Sequence, residues 1–216
     1  MIVLNLKTYE ASIKNALLFT DIAGEVVAET GLRIVVCPPS PYLRDAAERF
    51  SGVFAQHVDA EAPGAFTGSM PAAMLKELKA KGSLVNHSEK RVGMAKIKPT
   101  IDALHSNGLE SLVCAESARE SAEIAHFGPS FIAVEPPELI GSGVSVSNAK
   151  PEIIVNSVRA VQEVDRTVAV LCGAGVSNRE DTKRALELGA QGVLLASAFV
   201  KAKDPKAFLA DLASAF

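Results

Sequence analysis

Eight short apolar runs recur along the 216 residues, each followed by a longer segment whose apolar positions repeat with helical spacing. No other feature constrains the fold as tightly. The runs are IVLNLK (2–7), RIVVCP (33–38), VFAQHV (53–58), SLVNH (83–87), SLVCAE (111–116), FIAVEP (131–136), TVAVLCG (167–173) and GVLLAS (192–197). They are almost continuously apolar rather than alternating, which is the pattern of parallel strands covered on both faces. Parallel neighbours need crossover connections, and the intervening segments supply them. Helical spacing shows in Ile13, Ala16, Leu17 and Thr20, in Met74, Leu75 and Leu78, and in Phe208, Leu209 and Leu212. The punctuation agrees. Ser177-x-x-Glu180 reads as a capping box with Gly189 as a stop, Ser69 and Pro71 open the third helix, and Asp204-Pro205 opens the last.

Regular βα alternation implies right-handed crossovers on one parallel sheet. Eight such units without a large interruption predict a closed (β/α)₈ barrel of α/β class, one domain over residues 1–216. An open doubly wound sheet is the alternative, but no GxGxxG follows the first strand. At 48% hydrophobic and 5% aromatic, with no Trp, the core must be aliphatic. A net charge of −3 without long runs of one sign gives no nucleic-acid footprint. No apolar stretch reaches the roughly 18–20 residues that span a membrane. The chain opens directly on a strand, with no basic leader, and Cys37, Cys114 and Cys172 have no paired spacing. A cytoplasmic protein with reduced, buried thiols is expected.

In a barrel of this kind, chemistry sits at the C-terminal ends of the strands. Those ends carry Asn5 and Lys7, His87, Glu135, Gly173-Ala174-Gly175 and Ala196-Ser197. Glu135 is the most informative. A carboxylate ending a buried strand is disfavoured as a charge, so its pKa rises toward that of a general base. Pro136 and Pro137 stiffen the chain beside it, and a loop closing on Gly141-Ser142-Gly143 can bring amides to an anion. A helical turn starting at Ser88 would point its positive end at His87 and keep the imidazole neutral. Lys7 can neutralise a developing oxyanion. Gly175, ahead of a capped helix, and Ala196-Ser197 can offer backbone N–H groups to a phosphate.

Together these residues resemble the triosephosphate isomerase family over essentially the whole chain. The matching segments are Asn5-x-Lys7, Gly64-Ala65-Phe66-Thr67-Gly68, Asn86-His87-Ser88-Glu89, Val113-Cys114, and Val134-Glu135-Pro136 through Ile140-Gly141-Ser142-Gly143. The length is similar to that of the short archaeal branch. The chain departs from the common form at the lid, where Pro137-Glu138-Leu139 stands, and after strands 7 and 8, with Gly173-Ala174-Gly175 and Ala196-Ser197. At the fifth strand Cys114-Ala115-Glu116 is also altered, and neither Cys114 nor Glu116 is given a role.

The resemblance implies interconversion of dihydroxyacetone phosphate and D-glyceraldehyde 3-phosphate through an enediol(ate), in glycolysis and gluconeogenesis. Glu135 would move the proton between adjacent carbons, neutral His87 would polarise the carbonyl, and Lys7 would stabilise the negative transition state. Asn5 would hold substrate and Lys7. Backbone N–H groups around Ile140-Gly141, of Gly175 and of Ala196-Ser197 would bind the phosphate. No metal or organic cofactor is implied. The GAFTG loop carrying Thr67 implies a homodimer or homotetramer. Glu89 is read as a helix N-terminal carboxylate and left out of the catalytic set. A Schiff-base aldolase would need a lysine deep in the barrel, and a metal-dependent epimerase more ligands than His57 and His87. A binding protein that has lost catalysis would not keep Lys7, His87 and Glu135 together.

Overall fold

The computed structural model describes residues 1–136 and 150–216. All eight apolar runs contain strands: β1 (Ile2–Asn5), β2 (Ile34–Cys37), β3 (Phe54–Ala55), β4 (Gly82–Val85), β5 (Glu110–Ala115), β6 (Phe131–Val134), β7 (Ala169–Cys172) and β8 (Gly192–Leu195). The order across the sheet is β2-β1-β8-β7-β6-β5-β4-β3, with every strand pair parallel. A parallel bridge between Val36 and Val53 brings β2 to the chain just ahead of β3 and closes the ring. There the Val36 amide donates to the Gly52 carbonyl at 2.8 Å. The result is the (β/α)₈ barrel that the alternation predicts.

Helices α1 (Glu10–Thr30), α2 (Leu43–Arg49), α3 (Ala72–Glu77), α4 (Met94–Ser106), α5 (Ala118–Ala125), α6 (Pro151–Val164) and α7 (Arg179–Glu187) occupy the connections. Short α8 (Ser197–Val200) and α9 (Pro205–Ala213) follow β8. Strand parity divides the apolar residues into two cores. Ile2, Leu4, Val36 and Ile132 face the helices, whereas Val3, Val35, Phe54, Leu84, Leu112, Phe131, Leu171 and Leu194 fill the barrel. An interior packed with apolar side chains, the rings of Phe54 and Phe131 among the aliphatic ones, is a solid core rather than a pore. It leaves room for polar groups only at its ends.

Three local expectations change. Asn178, not Ser177, caps α7: its side chain accepts from the Asp181 amide at 2.8 Å, while the Ser177 hydroxyl donates to Asp181 Oδ2. Serine, asparagine and aspartate are all good capping types, so the pattern fits equally well one residue later. Ile13 is exposed, because the face that buries Ala16 and Thr20 continues in the first turn of α1 through Ser12 rather than Ile13. Met74 also faces outward. Asp204 caps α9 as expected, accepting from the Ala207 amide at 3.0 Å. Among the described residues no helix is long and apolar enough to cross a membrane.

Candidate active site

Parity explains how most of the site is placed. Along β6, Phe131 and Ala133 point into the barrel, and Glu135 continues the same face two residues on. Val3 on β1 leads in the same way to Asn5, Leu171 on β7 to Gly173, and Leu194 on β8 to Ala196. His87 is out of step by one residue relative to Leu84. The chain corrects this at Asn86, which adopts a left-handed conformation (φ 59°). Asparagine tolerates that region better than most side chains. Lys7 is likewise left-handed, at φ 49°. Two of the three non-glycine residues with positive φ among those described therefore sit at this mouth.

Lys7, Tyr9, His87, Glu135, Gly175 and Ser197 share the wall of one cavity of about 170 Å³. That is smaller than the roughly 300–1,000 Å³ of pockets for drug-sized ligands, and it suits a small substrate. Ala196 lines the same space. Asn5 is not in that wall: it is buried, borders a neighbouring cavity with Lys7 and His87, and its Oδ1 accepts from the Lys7 amide at 3.0 Å, which braces the left-handed turn. Gln56 holds that turn from the other side, donating to the carbonyls of Lys7 and Cys37 at 3.0 and 2.9 Å. Ile140 and Gly141 fall within 137–149, outside the described residues, as does the glycine loop beyond Glu135.

Glu135 is only 3% exposed. Burial pushes its carboxyl up to about 7. The Cys114 thiol, the Ser88 amide and the Lys7 ammonium favour the charged form, but none outweighs burial. Its Oε2 has no well-formed hydrogen bond among the described residues. At 3.4 Å from Oε1 lies Nε2 of His87. Burial, and next the Lys7 ammonium, lowers His87 to about 4, so the ring is neutral at physiological pH. The Glu89 amide donates to His87 Nδ1 at 3.1 Å. Nδ1 is thereby an acceptor, and the ring proton is assigned to Nε2, facing the cavity.

That arrangement corrects the sequence-based account of His87. No helix begins at Ser88; the chain makes a single turn closed by the Lys90 amide on the His87 carbonyl at 2.7 Å, and α4 starts only at Met94. The ring is kept neutral by burial and Lys7, not by a helix end. Glu89, set aside by the sequence reading, is also closer to the site than expected. Its carboxylate pairs with Lys7 Nζ at 2.7 Å. The signal was its two-residue spacing from His87; the partner, 82 positions away, was not visible. Gly173 has a sharper role than a tight turn, since a Cβ there would lie 2.6 Å from Glu135 Cγ.

Chemically, the mouth combines a buried base near neutrality, a neutral imidazole donor and a lysine ammonium. Beside them are backbone amides at Gly175 (φ 72°) and at the start of α8. The first amides of a helix have no partner within it and can meet an anion. A carboxyl near neutrality, a neutral imidazole and backbone amides lie in one cavity, a combination suited to proton transfer on a small anionic substrate.

Comparison with known proteins agrees with the geometry. A family model described as triosephosphate isomerase matches residues 1–215. The triosephosphate isomerase of Methanothermus fervidus is 49% identical over 214 residues, covering 98% of this chain and 96% of that one. That of Methanocaldococcus jannaschii is 47% identical over 214 residues, 98% of each. That of Methanosarcina barkeri is 46% identical over 213 residues, 98% of this chain and 96% of its own. The chain belongs to the triosephosphate isomerase family, and its similarity runs to members from archaeal methanogens.

Proposed function

We propose that the chain interconverts dihydroxyacetone phosphate and D-glyceraldehyde 3-phosphate, in glycolysis and gluconeogenesis, with Glu135, His87 and Lys7 as its catalytic residues. Glu135 takes the proton from the carbon beside the carbonyl and returns it to the neighbouring carbon. The Nε2–H of neutral His87 donates to the carbonyl oxygen and then serves the adjacent oxygen. Lys7 stabilises the enediolate charge, and Asn5 holds the Lys7 turn and the substrate side of the mouth. The observation that carries this reading is the facing pair: a buried carboxyl raised to about 7, 3.4 Å from an imidazole lowered to about 4. Shifts in opposite directions separate the base from the electrophile.

The phosphate is held by backbone N–H groups of Gly175, Ala196 and Ser197, which line the same cavity. Ile140 and Gly141 complete the grip in a loop that also excludes water from the enediol; the support for these two is the sequence resemblance. The enzyme works as a homodimer or homotetramer. Supporting this are Phe66, 51% exposed beside Thr67, and the outward-facing Met74. The three free, buried cysteines suit a reducing cytoplasm.

Purified protein assayed with glyceraldehyde 3-phosphate, with and without EDTA, tests the reaction. Isomerase activity equal in both conditions is expected. Glu135→Asp retracts the carboxylate by one methylene and should cut turnover by roughly 10²-fold or more while inorganic phosphate still inhibits competitively. Activity abolished by chelation, or unchanged turnover in Glu135→Asp, would overturn the assignment. Light scattering tests the assembly, for which a monomer at assay concentration is the contrary result.

A further inference from the structure

We infer that Glu120, through its ion pair with Arg91, is a positioning residue for His87; the inference rests on the isomerase reading above. Glu120 belongs to α5, outside the cavity, and touches none of the reacting groups. Its backbone amide donates to Ser117 Oγ at 3.2 Å, and its Oε2 accepts from the Glu116 amide at 2.6 Å. This is half of a capping box: Ser117 caps the Glu120 amide, and the glutamate folds back one residue ahead of the cap, onto the Glu116 amide rather than that of Ser117. Here the same carboxylate also reaches the neighbouring βα unit. Arg91 Nη1 donates to Oε1 at 3.0 Å and Nη2 to Oε2 at 3.4 Å, and Asn86 Nδ2 lies 3.5 Å from Oε1. Arg91 also contacts Glu116.

Asn86 and Arg91 bracket the turn that carries His87. The Glu120 carboxylate reaches both ends of it, and Glu116 shares the hold on Arg91. The remaining contacts of Asn86 complete the clamp: Nδ2 donates to the Cys114 carbonyl at 3.1 Å, and Oδ1 accepts from the Val92 amide at 3.1 Å. Asn86 holds the left-handed φ that swings His87 into the mouth. A turn of this kind, with few backbone bonds of its own, takes its geometry from whatever pins its ends. Arg91 is 29% exposed and Glu120 19%, so the pair is shielded enough to hold one geometry and is bidentate. Loss of the pair frees one end of the turn, and His87 Nε2 drifts from the carbonyl oxygen it must meet.

The test compares Glu120→Gln, Arg91→Met, Arg91→Lys and Ser117→Ala in steady-state kinetics and thermal melting. Glu120→Gln and Arg91→Met should each lower kcat by about 10- to 100-fold, since a misplacement near 1 Å costs about that much. Inhibition by inorganic phosphate should stay within about twofold, because the phosphate end is built from other strands. The double variant should lose no more than the worse single, the mark of a shared link. Arg91→Lys, which keeps the charge and one donor, should recover to within about fivefold of the parent. Ser117→Ala weakens the same helix start without touching the pair, and should lower the melting temperature while kcat stays within about twofold. The inference falls if Glu120→Gln and Arg91→Met keep kcat within twofold, or if Ser117→Ala loses as much kcat as they do. Should Glu120→Gln not fold, Arg91→Met against Arg91→Lys decides alone. A parent enzyme inactive on triose phosphates would sink both readings; an active parent with indifferent variants sinks only this one.

Discussion

Replacing Gly173 by alanine should disarm the base without touching any charged group. A Cβ at this position would stand 2.6 Å from Glu135 Cγ, 3.0 Å from the Val134 carbonyl oxygen and 3.3 Å from Ala133 Cβ. Carbon atoms rest comfortably at about 3.5–4.0 Å, so the closest overlap is about 1 Å. Val134 and Ala133 cannot yield: they lie in the parallel ladder, where the Gly173 amide donates to the Val134 carbonyl at 2.9 Å. The stem of Glu135, which follows the last residue of β6, is the part free to move. A displacement near 1 Å at the base costs about 10²-fold in kcat, or about 3 kcal/mol of transition-state stabilisation. Gly173 is not among the positive-φ residues, so alanine brings no backbone strain. Overpacking of about 1–3 kcal/mol is offset in part by the roughly 0.4–1 kcal/mol gained from a stiffer unfolded chain. The expected variant is folded, a few degrees less stable, and about a hundredfold slower, with inorganic phosphate still bound. A coupled isomerase assay beside a melting curve reads both quantities. Turnover within threefold of the parent would refute the view that this contact sets the position of Glu135.

Three further outcomes follow from the same site. With Glu135 at about 7 and His87 at about 4, kcat/KM should fall about tenfold per pH unit on the acid side of pH 7, with no second acid limb down to about pH 4; a profile flat from pH 5 to 8 contradicts it. Glu135→Gln should abolish activity and stabilise the fold in a pH-dependent way. The folded carboxyl is raised from 4.5 to about 7, so its neutral form is favoured, full stability is present below 4.5, and stability is lost as pH rises through 7. The shift corresponds to about 3 kcal/mol, so the variant should melt about 5–10 °C higher at pH 8 and unchanged near pH 4. Equal melting curves at pH 8 would deny that the buried charge is costly. Asn86→Ala removes three hydrogen bonds and a residue suited to positive φ, and should cost about 2–3 kcal/mol in denaturant titration together with most of kcat. Full activity in that variant would show that His87 does not depend on this turn.

The eight strands, the barrel they form and the residues at its mouth were legible in the sequence. Apolar runs, strand parity and caps are local properties. Parity carries Val3 to Asn5 and Phe131 to Glu135, so part of the site follows from counting in twos, whereas Lys7 lies past the end of β1 in a left-handed conformation. His87 does not follow, because its direction depends on one left-handed residue, and φ at Asn86 is set by partners on β5 and α5. The capping box slipped by one residue for the opposite reason: Ser177 and Asn178 are both competent caps, and only the packing of α7 selects between them.

The sequence by itself determined that this chain closes a parallel barrel and places Asn5, Lys7 and Glu135 at one end, because apolar runs and their ends can be read without knowledge of neighbours. A raised Glu135 and a neutral His87 were expected from the sequence; only the tertiary structure decided what holds those groups in these states. The carboxyl of Glu135 is raised because it is buried, the ring of His87 is neutral because burial and Lys7 make it so, and Lys7 is balanced by Glu89 from 82 residues away. Desolvation and Coulomb interactions depend on distance in space, which the order of residues along the chain does not contain.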